Sequence, residues 1–478
     1  MKVKSKKELN MTNDSKIRNL LNVKKQQKTS GITLIALVVT IVVLLILAGI
    51  TISLVFSENG IIAKAREAAE RTNQAVINEQ AQMNELAEYM GNMLNGIGGG
   101  STPEEPTLPS DGTYSETKGV NTPKLGSGMT AIKWNGSTWV ETTGSDPEWY
   151  DYSAKKWANA KTSDGSMWVW IPRYAYSITS GYHSSSTGTI EVEFMKGLTN
   201  ETSTGRTSFN NASGAGNWNI HPAFNYGQTV SGLWVAKFEA SSVQGNSNSS
   251  SGDNVTTKTL QVKPGVASWR YIYIGTAYTN CLNYNKTLNS HMMKNDEWGA
   301  VAYLSKSKYG KQTEEVTINS NSSYYTGGGS GNTYVNNGAQ STTGNVYGVY
   351  DMSGGAWEYV AGYVNNGNGN LTSYGSSLVN GDAKTKNVYT KASTDNNTNN
   401  YNQNASKYGD AVYETSANGN TSNGSWYGDY SYFPSSSVPF FVRGGGCSSG
   451  SNAGVFAFSD FAGSTYSDIS FRPVLVAL

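Results

Sequence analysis

The side chains best suited to covalent chemistry or metal binding are few in this sequence. The chain of 478 residues contains two cysteines, Cys281 and Cys447, and three histidines, His183, His221 and His291. Two cysteines cannot form a Cys₄ zinc site, although one disulfide between them is allowed. His221 in HPAF and His291 in SHMMK have contexts typical of core or turn histidines, and no HExxH pair is present. The sequence therefore favours noncovalent binding over catalysis, with no metal and no cofactor.

One segment near the C-terminus has the composition of a binding surface. The residues between Arg443 and Phe471 include no Lys, Arg or Glu, and most are Ser, Gly, Ala, Asn, Asp, Tyr or Phe. Small residues of this kind give adaptable contacts, and aromatic rings give contact area. An ordinary Gly- and Ser-rich loop is the alternative interpretation. The candidate ligand-binding residues are Cys447, Ser459, Asp460, Phe461, Ala462, Ser464, Tyr466 and Asp468.

The overall charge limits the class of partner. The chain has 36 Lys and Arg against 35 Asp and Glu, a net charge of +1. A nucleic-acid-binding protein normally carries a marked basic excess in its folded part. We therefore expect no nucleic-acid partner. Because the N-terminal part described below predicts an extracellular domain, the expected ligand is an unknown extracellular protein or glycan.

Three motifs in the last third of the chain combine glycines with charged and aromatic residues. They are GNVYGVYDMSGGAWEYV at 344–360, VRGGG at 442–446 and FRPVL at 471–475. Glycine permits tight turns and close backbone approach, and the charged residues are plausible partners in buried ion pairs. The residues assigned to this structural role are Asp351, Met352, Gly354, Trp357, Glu358, Arg443, Gly444, Gly445, Phe471 and Arg472.

In this order the motifs resemble those of the formylglycine-generating-enzyme (sulfatase-modifying-factor) branch of the C-type lectin fold. That family uses a pair of cysteines shortly after an RGGSW motif to bind copper. Here only Cys447 follows Arg443, and it stands too early, so the resemblance implies the fold without the activity. The segment after Arg443 is also similar to the variable region of diversity-generating-retroelement target proteins. That resemblance implies a fixed frame that presents the candidate residues to a ligand.

The elements expected to position these residues are mostly short strands. Aromatic and β-branched runs predict strands at Met167–Ile171, Leu233–Phe238, Tyr271–Ile274, Phe440–Arg443 and Ser470–Val476. From about residue 130 onward, only His291–Leu304 has a helical pattern. Tracts rich in Ser, Asn and Gly near 241–257, 318–345 and 364–425 are predicted to be surface loops or disordered insertions.

The N-terminal part predicts a membrane anchor. The residues from Ile32 to Phe56 carry no charge, and about 20 apolar residues suffice to cross a bilayer. Nine basic and two acidic residues precede this run, which predicts a cytoplasmic N-terminus and a single-pass protein at the cell membrane with an extracellular C-terminal domain. Apolar residues three and four apart at 57–94 predict a helical stalk, and residues 95–129 have the composition of a linker.

GITLIAL at 31–37 resembles the processing site of type IV prepilins. The resemblance implies cleavage by a prepilin peptidase after Gly31, with Ile32 as the new N-terminus, and contact with other pilin-like subunits and the lipid bilayer. Ala36 replaces the family's glutamate, which argues against a major pilin. An uncut signal anchor is the alternative.

The sequence thus predicts an α+β protein with five regions. They are a basic leader (1–31), a transmembrane helix (32–56), a pilin-like stalk (57–94), a linker (95–129) and a C-type-lectin-type domain with long irregular loops (130–478). The predicted function is non-catalytic ligand binding by a membrane-anchored, pilin-like protein. The alternatives are a structural minor pilin or pseudopilin and, with the cysteine pair missing, a sulfatase-modifying-factor-like enzyme.

Overall fold

The computed structural model of this protein describes residues 111–478. The strands of this part are β1 (Tyr114–Ser115), β2 (Val120–Asn121), β3 (Met129–Trp134), β4 (Trp139–Glu141), β5 (Asn159–Thr162), β6 (Met167–Pro172), β7 (Tyr174–Ser180), β8 (Thr189–Phe194), β9 (Asn219–Ile220), β10 (Gly232–Ala236), β11 (Ser241–Ser242), β12 (Leu260–Gln261), β13 (His291–Met292), β14 (Trp357–Asn365), β15 (Asn387–Thr390), β16 (Asn420–Thr421), β17 (Ser431–Tyr432), β18 (Phe440–Gly444), β19 (Gly454–Phe461), β20 (Ile469–Phe471) and β21 (Pro473–Leu475). The α-helices are α1 (Ser250–Asp253), α2 (Ile274–Tyr284), α3 (Asn295–Lys306), α4 (Gly369–Ser373), α5 (Ser376–Asn380) and α6 (Asn397–Gln403).

The first large sheet has the strand order β13-β21-β10-β6-β5-β3-β4. All six residues of β6 are buried, because β5 and β10 pair with its two edges and side chains cover both of its faces. A strand buried on both faces is expected to be a continuous apolar run, as MWVWIP is. The C-terminal strand β21 pairs with β10 on one side and β13 on the other, so the last motif of the chain lies within this sheet.

The second large sheet has the order β15-β14-β18-β19-β17-β16, with β20 pairing in parallel with β14. Eight of the nine residues of β14 are buried. The three sequence motifs supply neighbouring strands here. β14 begins within the first motif, β18 contains Val442–Gly444 of the second, and β20 ends at the first residue of the third. The β18–β19 pair is antiparallel, and it sets the position of the candidate binding residues at the end of β19.

The helix α3 has a central position, since all twelve of its residues are buried. Asp296 and Glu297 lie in its first turn and Lys306 in its last, which matches the helix dipole. The Lys294 N–H donates to Glu297 Oε2 over 2.9 Å and caps the start of the helix. The predicted helix at 291–304 is therefore confirmed in its main part, but its first residues form β13.

Three local predictions were wrong. The run Tyr271–Ile274 is not a strand, because Tyr271 has a φ of 57° and α2 begins at Ile274. The tract at 364–425 is not a surface insertion, since it contains α4, α5, α6 and β15 and buries Leu378, Tyr389 and Tyr401. Residues 111–129, assigned to the linker, contain β1 and β2 and bury Val120.

The predicted fold class and membrane location also need correction. Residues 111–478 are mostly sheet with few and short helices, whereas the sequence predicted an α+β protein built on a long N-terminal helix. No helix in this part of the chain is long and apolar enough to span a bilayer, so the single-pass location is not supported. The predicted processing residues Gly31 and Ile32, the transmembrane helix and the stalk lie outside the described residues.

Candidate functional site

A buried ion pair joins the first and the third sequence motifs. The Arg472 guanidinium donates from Nε to Glu358 Oε2 over 2.7 Å, and its Nη2 also bonds to Glu358 Oε1. Its other bonds go to the carbonyl oxygens of Ala236 and Tyr350, each at 3.0 Å. Burial raises the pKa of Glu358 to about 6, although Arg472 acts in the opposite direction. Groups of the protein itself accept the hydrogen bonds of the Arg472 guanidinium. The Arg472–Glu358 pair therefore has a structural role: it links the first motif to the third in the interior.

The second motif supplies another buried guanidinium. Arg443 donates to Asn295 Oδ1 at the start of α3 and to the carbonyl oxygens of Asp410 and Ala411, over 2.9–3.2 Å. Burial lowers the pKa of Arg443 to about 10. The side chain thus holds the loop at 410–411, where Ala411 has a φ of 51°, against helix and sheet.

A further buried carboxyl, Glu239, was not identified from the sequence. Its Oε1 accepts a hydrogen bond from the Ala356 N–H over 2.9 Å, within the first motif. Burial raises the pKa of Glu239 well above its ordinary value, and Asp351 and Glu358 add to the shift. The sequence carried a signal, since Lys237 and Glu239 are charges inside the otherwise apolar run LWVAKFEA.

The motif glycines occupy turns that only glycine accepts without strain. Gly354 and Gly445 have φ values of +74° and +75°. A Cβ at Gly445 would lie 2.5 Å from the Cα of Ala453, and one at Gly354 would lie 2.5 Å from the carbonyl oxygen of Asn319. The remaining motif residues are buried as well: Asp351, Met352, Trp357, Gly444 and Phe471. The ten motif residues are therefore all interior.

The candidate binding residues on β19 separate onto two faces of the sheet. The pairs Val442–Ser459, Phe441–Asp460 and Phe440–Phe461 fix the register against β18. Because side chains alternate along a strand, Ser459 and Phe461 share one face and Asp460 points to the other. Asp460 Oδ2 accepts a hydrogen bond from Asn397 Nδ2 of α6 over 2.7 Å. The structure therefore does not bring Asp460 together with the other candidates.

The loop that follows β19 is held by its backbone. The carbonyl oxygens of residues 463, 464 and 466 accept hydrogen bonds from Ile274 N, Tyr359 Oη and Tyr271 N over 2.7–3.0 Å. The carbonyl of Ser467 accepts from Arg270, and that of Asp468 accepts from the Trp357 N–H over 2.9 Å. Five donors from distant parts of the chain thus fix a loop that has no regular secondary structure.

The side chains of this loop remain partly or largely exposed. Tyr466 is 39 % exposed, and its ring packs edge-on against Phe461 at a centroid distance of 4.9 Å. Ala462, Ser464 and Asp468 are half-buried. The structure therefore fixes the path of the loop without using these side chains to fill the core.

Four tyrosines that were not identified from the sequence border the loop. Tyr271 and Tyr273 flank it through the segment that leads into α2, and Tyr374 packs against Tyr273 with a centroid distance of 5.0 Å. Tyr324 lies under the Arg270 guanidinium, 4.0 Å from its ring centroid. All four tyrosines are half-buried. We call the following set the loop face: Cys447, Ser459, Phe461, Ala462, Ser464, Tyr466 and Asp468 with Tyr271, Tyr273, Tyr324 and Tyr374.

Cys447 lies at one end of the loop face and is not activated for nucleophilic chemistry. Its N–H donates to the Gly355 carbonyl over 2.7 Å. Burial raises the pKa of its thiol, and the hydrogen bond to Tyr324 only partly offsets that effect. Burial also raises the pKa of Asp468. Cys281 is fully buried in α2, and the two thiols do not form a disulfide.

The two histidines that were interpreted as core or turn residues are buried. His291 Nε2 lies 2.8 Å from Glu297 Oε1, and burial lowers the pKa of His221 to about 3. Within residues 111–478, no group of three or more His, Cys, Asp and Glu side chains is arranged to hold a metal ion.

No protein-family model matches this chain, and the comparison with curated proteins gives no match either. The resemblances in the prepilin-like segment and in the three motifs therefore rest on the residues quoted above.

Proposed function

We propose that this protein binds another protein through the loop face, without a covalent step, on a frame of the C-type lectin type. One observation carries the proposal: the backbone of residues 463–468 is fixed by five donors while its side chains stay available. A loop that is already ordered loses little conformational entropy on binding, which favours affinity. The buried Arg443, Arg472 and Glu358 agree with the frame that the motif resemblance implies.

The chemistry of the loop face favours a protein ligand. Tyrosines are over-represented among the residues that dominate protein interfaces, because each buries a large rigid surface and keeps a polar tip. The loop face brings five tyrosines and Phe461 around small polar residues. Three clefts, of about 490, 350 and 240 Å³, are lined by other residues. An extended aromatic surface of this kind suits a folded partner better than a small molecule.

The thiols support binding rather than catalysis. A catalytic cysteine needs a lowered pKa, since the thiolate is the nucleophile. Burial shifts the pKa of Cys447 upward, and that of Cys281 well above its ordinary value. We therefore assign Cys447 to the contact surface.

The test compares the full-length wild-type chain with the double variant Phe461→Ala/Tyr466→Ala as baits in a mixed protein extract. Quantitative mass spectrometry measures which proteins each bait retains. The matched control is Leu198→Ala, which truncates a side chain that is 60 % exposed and outside the loop face. We expect a protein that the wild type and the control retain and that the double variant loses by at least about tenfold.

Equal retention by all three baits would contradict the proposal. So would a double variant that fails to fold, because Phe461 and Tyr466 would then be core residues. A melting temperature within about 3 °C of the wild type separates loss of contact from loss of folding.

A further inference from the structure

A cleft of about 490 Å³ lies at the outer edge of the first large sheet. Its floor comes from four neighbouring strands, in the order β6, β5, β3 and the edge strand β4. The register pairs Trp134 with Trp139, Ile132 with Glu141, and Lys161 with Met167. Because side chains alternate along each strand, these residues share one face of the sheet. The segment at 332–335 and Pro264 complete the lining.

The aromatic part of this cleft is held in a fixed arrangement. Trp139 Nε1 donates to the Tyr334 hydroxyl over 2.9 Å, and the Trp134 ring meets Trp139 edge-on at 5.7 Å between centroids. The Lys237 ammonium lies 4.9 Å from the Trp139 ring centroid, on the buried side. Lys237 is held in turn by Asn159 Oδ1 at 2.8 Å. Both tryptophans remain only half-buried, so part of each ring is open to solvent.

The polar part of the cleft combines charged, hydroxyl and amide side chains, and its two charges cancel. Lys161 and Glu141 form an ion pair at 2.5 Å, with 37 % and 65 % of their side chains exposed. Ser137, Thr138 and Asn332 add hydroxyl and amide groups at the mouth, and all three are exposed. Exposed ion pairs of this kind contribute little to the free energy of unfolding. The Lys161 ammonium and the Glu141 carboxylate can therefore form hydrogen bonds to a ligand.

We propose that this cleft binds a neutral saccharide. A pyranose has a face of C–H groups that packs on indole and phenol rings, and a rim of hydroxyls that bond to carboxylate, ammonium, amide and hydroxyl groups. The cleft presents both kinds of surface, with paired charges that offer no preference for an anion or a cation. Its volume lies within the usual range of small-ligand sites, about 300–1,000 Å³. The site is separate from the loop face, and the proposal does not depend on the protein-binding function.

The test titrates three neutral trisaccharides, maltotriose, cellotriose and N-acetylchitotriose, into the full-length protein. Saturation-transfer NMR and calorimetry measure binding. We expect at least one of them to bind with a Kd of about 1 mM or below, and Trp134→Ala to weaken that binding at least about tenfold. The control Trp218→Ala truncates a half-buried tryptophan beside Arg206, in another part of the chain, and leaves binding unchanged.

Failure of all three sugars to bind at about 10 mM would overturn the proposal. Binding that survives Trp134→Ala would overturn it as well, since the sugar would then bind elsewhere. Because Trp134→Ala could disturb the sheet edge, Asn332→Ala provides a second variant, at an exposed residue, for which weaker binding is also expected. The variant Phe461→Ala/Tyr466→Ala keeps saccharide binding whether or not the loop face binds a protein.

Discussion

The motif interior and the loop face adjoin along the chain, yet they use their side chains in opposite ways. In the interior, the guanidinium groups of Arg472 and Arg443 donate hydrogen bonds to other groups of the protein. At the loop face, the rest of the protein donates hydrogen bonds to backbone carbonyl oxygens of the loop. The Tyr466 ring packs on Phe461, which itself lies partly buried against the core. Folding therefore dictates side-chain identity in the first region and backbone path in the second. We therefore expect the loop at 462–468 to keep its backbone path when its side chains are substituted.

The largest effect that tests this comparison is expected at Arg472. In Arg472→Ala, the Glu358 carboxyl loses its partner while it stays fully buried. Removing one member of a buried ion pair costs about 3–5 kcal/mol of unfolding free energy. Urea denaturation measures this loss. The matched control Arg206→Ala removes a partly exposed partner of Glu193 and should cost about 1 kcal/mol or less. Equal losses in the two variants would contradict the structural assignment of Arg472.

A smaller, pH-dependent effect is expected from Glu414. Its Oε2 accepts hydrogen bonds from the Tyr176 and Tyr303 hydroxyls and the Gly409 N–H over 2.6–3.0 Å. Burial raises its pKa from 4.5 to about 7. Since the folded state keeps this proton longer than the unfolded state, stability falls as pH rises from about 4.5 to about 7, by up to about 3 kcal/mol. Glu414→Gln should remove this fall.

The measurement is urea denaturation of the wild type and Glu414→Gln at several pH values. His221 has the opposite influence, because its lowered pKa removes stability as pH falls below about 6.5. The difference between wild type and variant cancels that contribution, since both retain His221. The loop-face variant Asp468→Asn is the control, and it should change the slope less, because Asp468 is only half-buried. If the unfolding free energies of the wild type and Glu414→Gln changed with pH in the same way, the raised pKa of Glu414 would be disproved.

The smallest effect on stability is expected at the loop face itself. The Phe461→Ala/Tyr466→Ala variant removes two rings that are partly exposed, whereas the five hydrogen bonds to carbonyl oxygens of the loop persist. Its melting temperature should change by only a few degrees. If this variant lost as much unfolding free energy as Arg472→Ala, the distinction between the motif interior and the loop face would be wrong.

Local patterns in the sequence predicted the strands with continuous apolar runs. MWVWI at 167–171 lies in β6 and FFVR at 440–443 lies in β18. The same reasoning failed at Tyr271–Ile274, because the positive φ of Tyr271 serves a bond to the loop at 466, which is distant in sequence. Composition failed at 364–425, where asparagines such as Asn400 and Asn404 bond to backbone groups and so allow a polar tract to be buried.

Seven of the eight candidate residues after Arg443 lie on the loop face, and their role in binding stays a prediction. Asp460 does not lie there, because the strand pleat turns it toward α6. The bordering tyrosines were missed, since they come from three other segments that only the fold brings together. Such contacts join residues more than a hundred positions apart, and no local pattern records them.

The most direct test of the loop face places a photo-reactive benzoylphenylalanine at Tyr466 in the full-length protein. The same residue at Leu198, which is 60 % exposed, is the control. Both proteins are irradiated with the partner that the wild-type bait retains, and adducts are mapped by mass spectrometry. We predict a single cross-linked partner from position 466 and none from position 198. Equal cross-linking from both positions, or none from position 466, would contradict binding through the loop face.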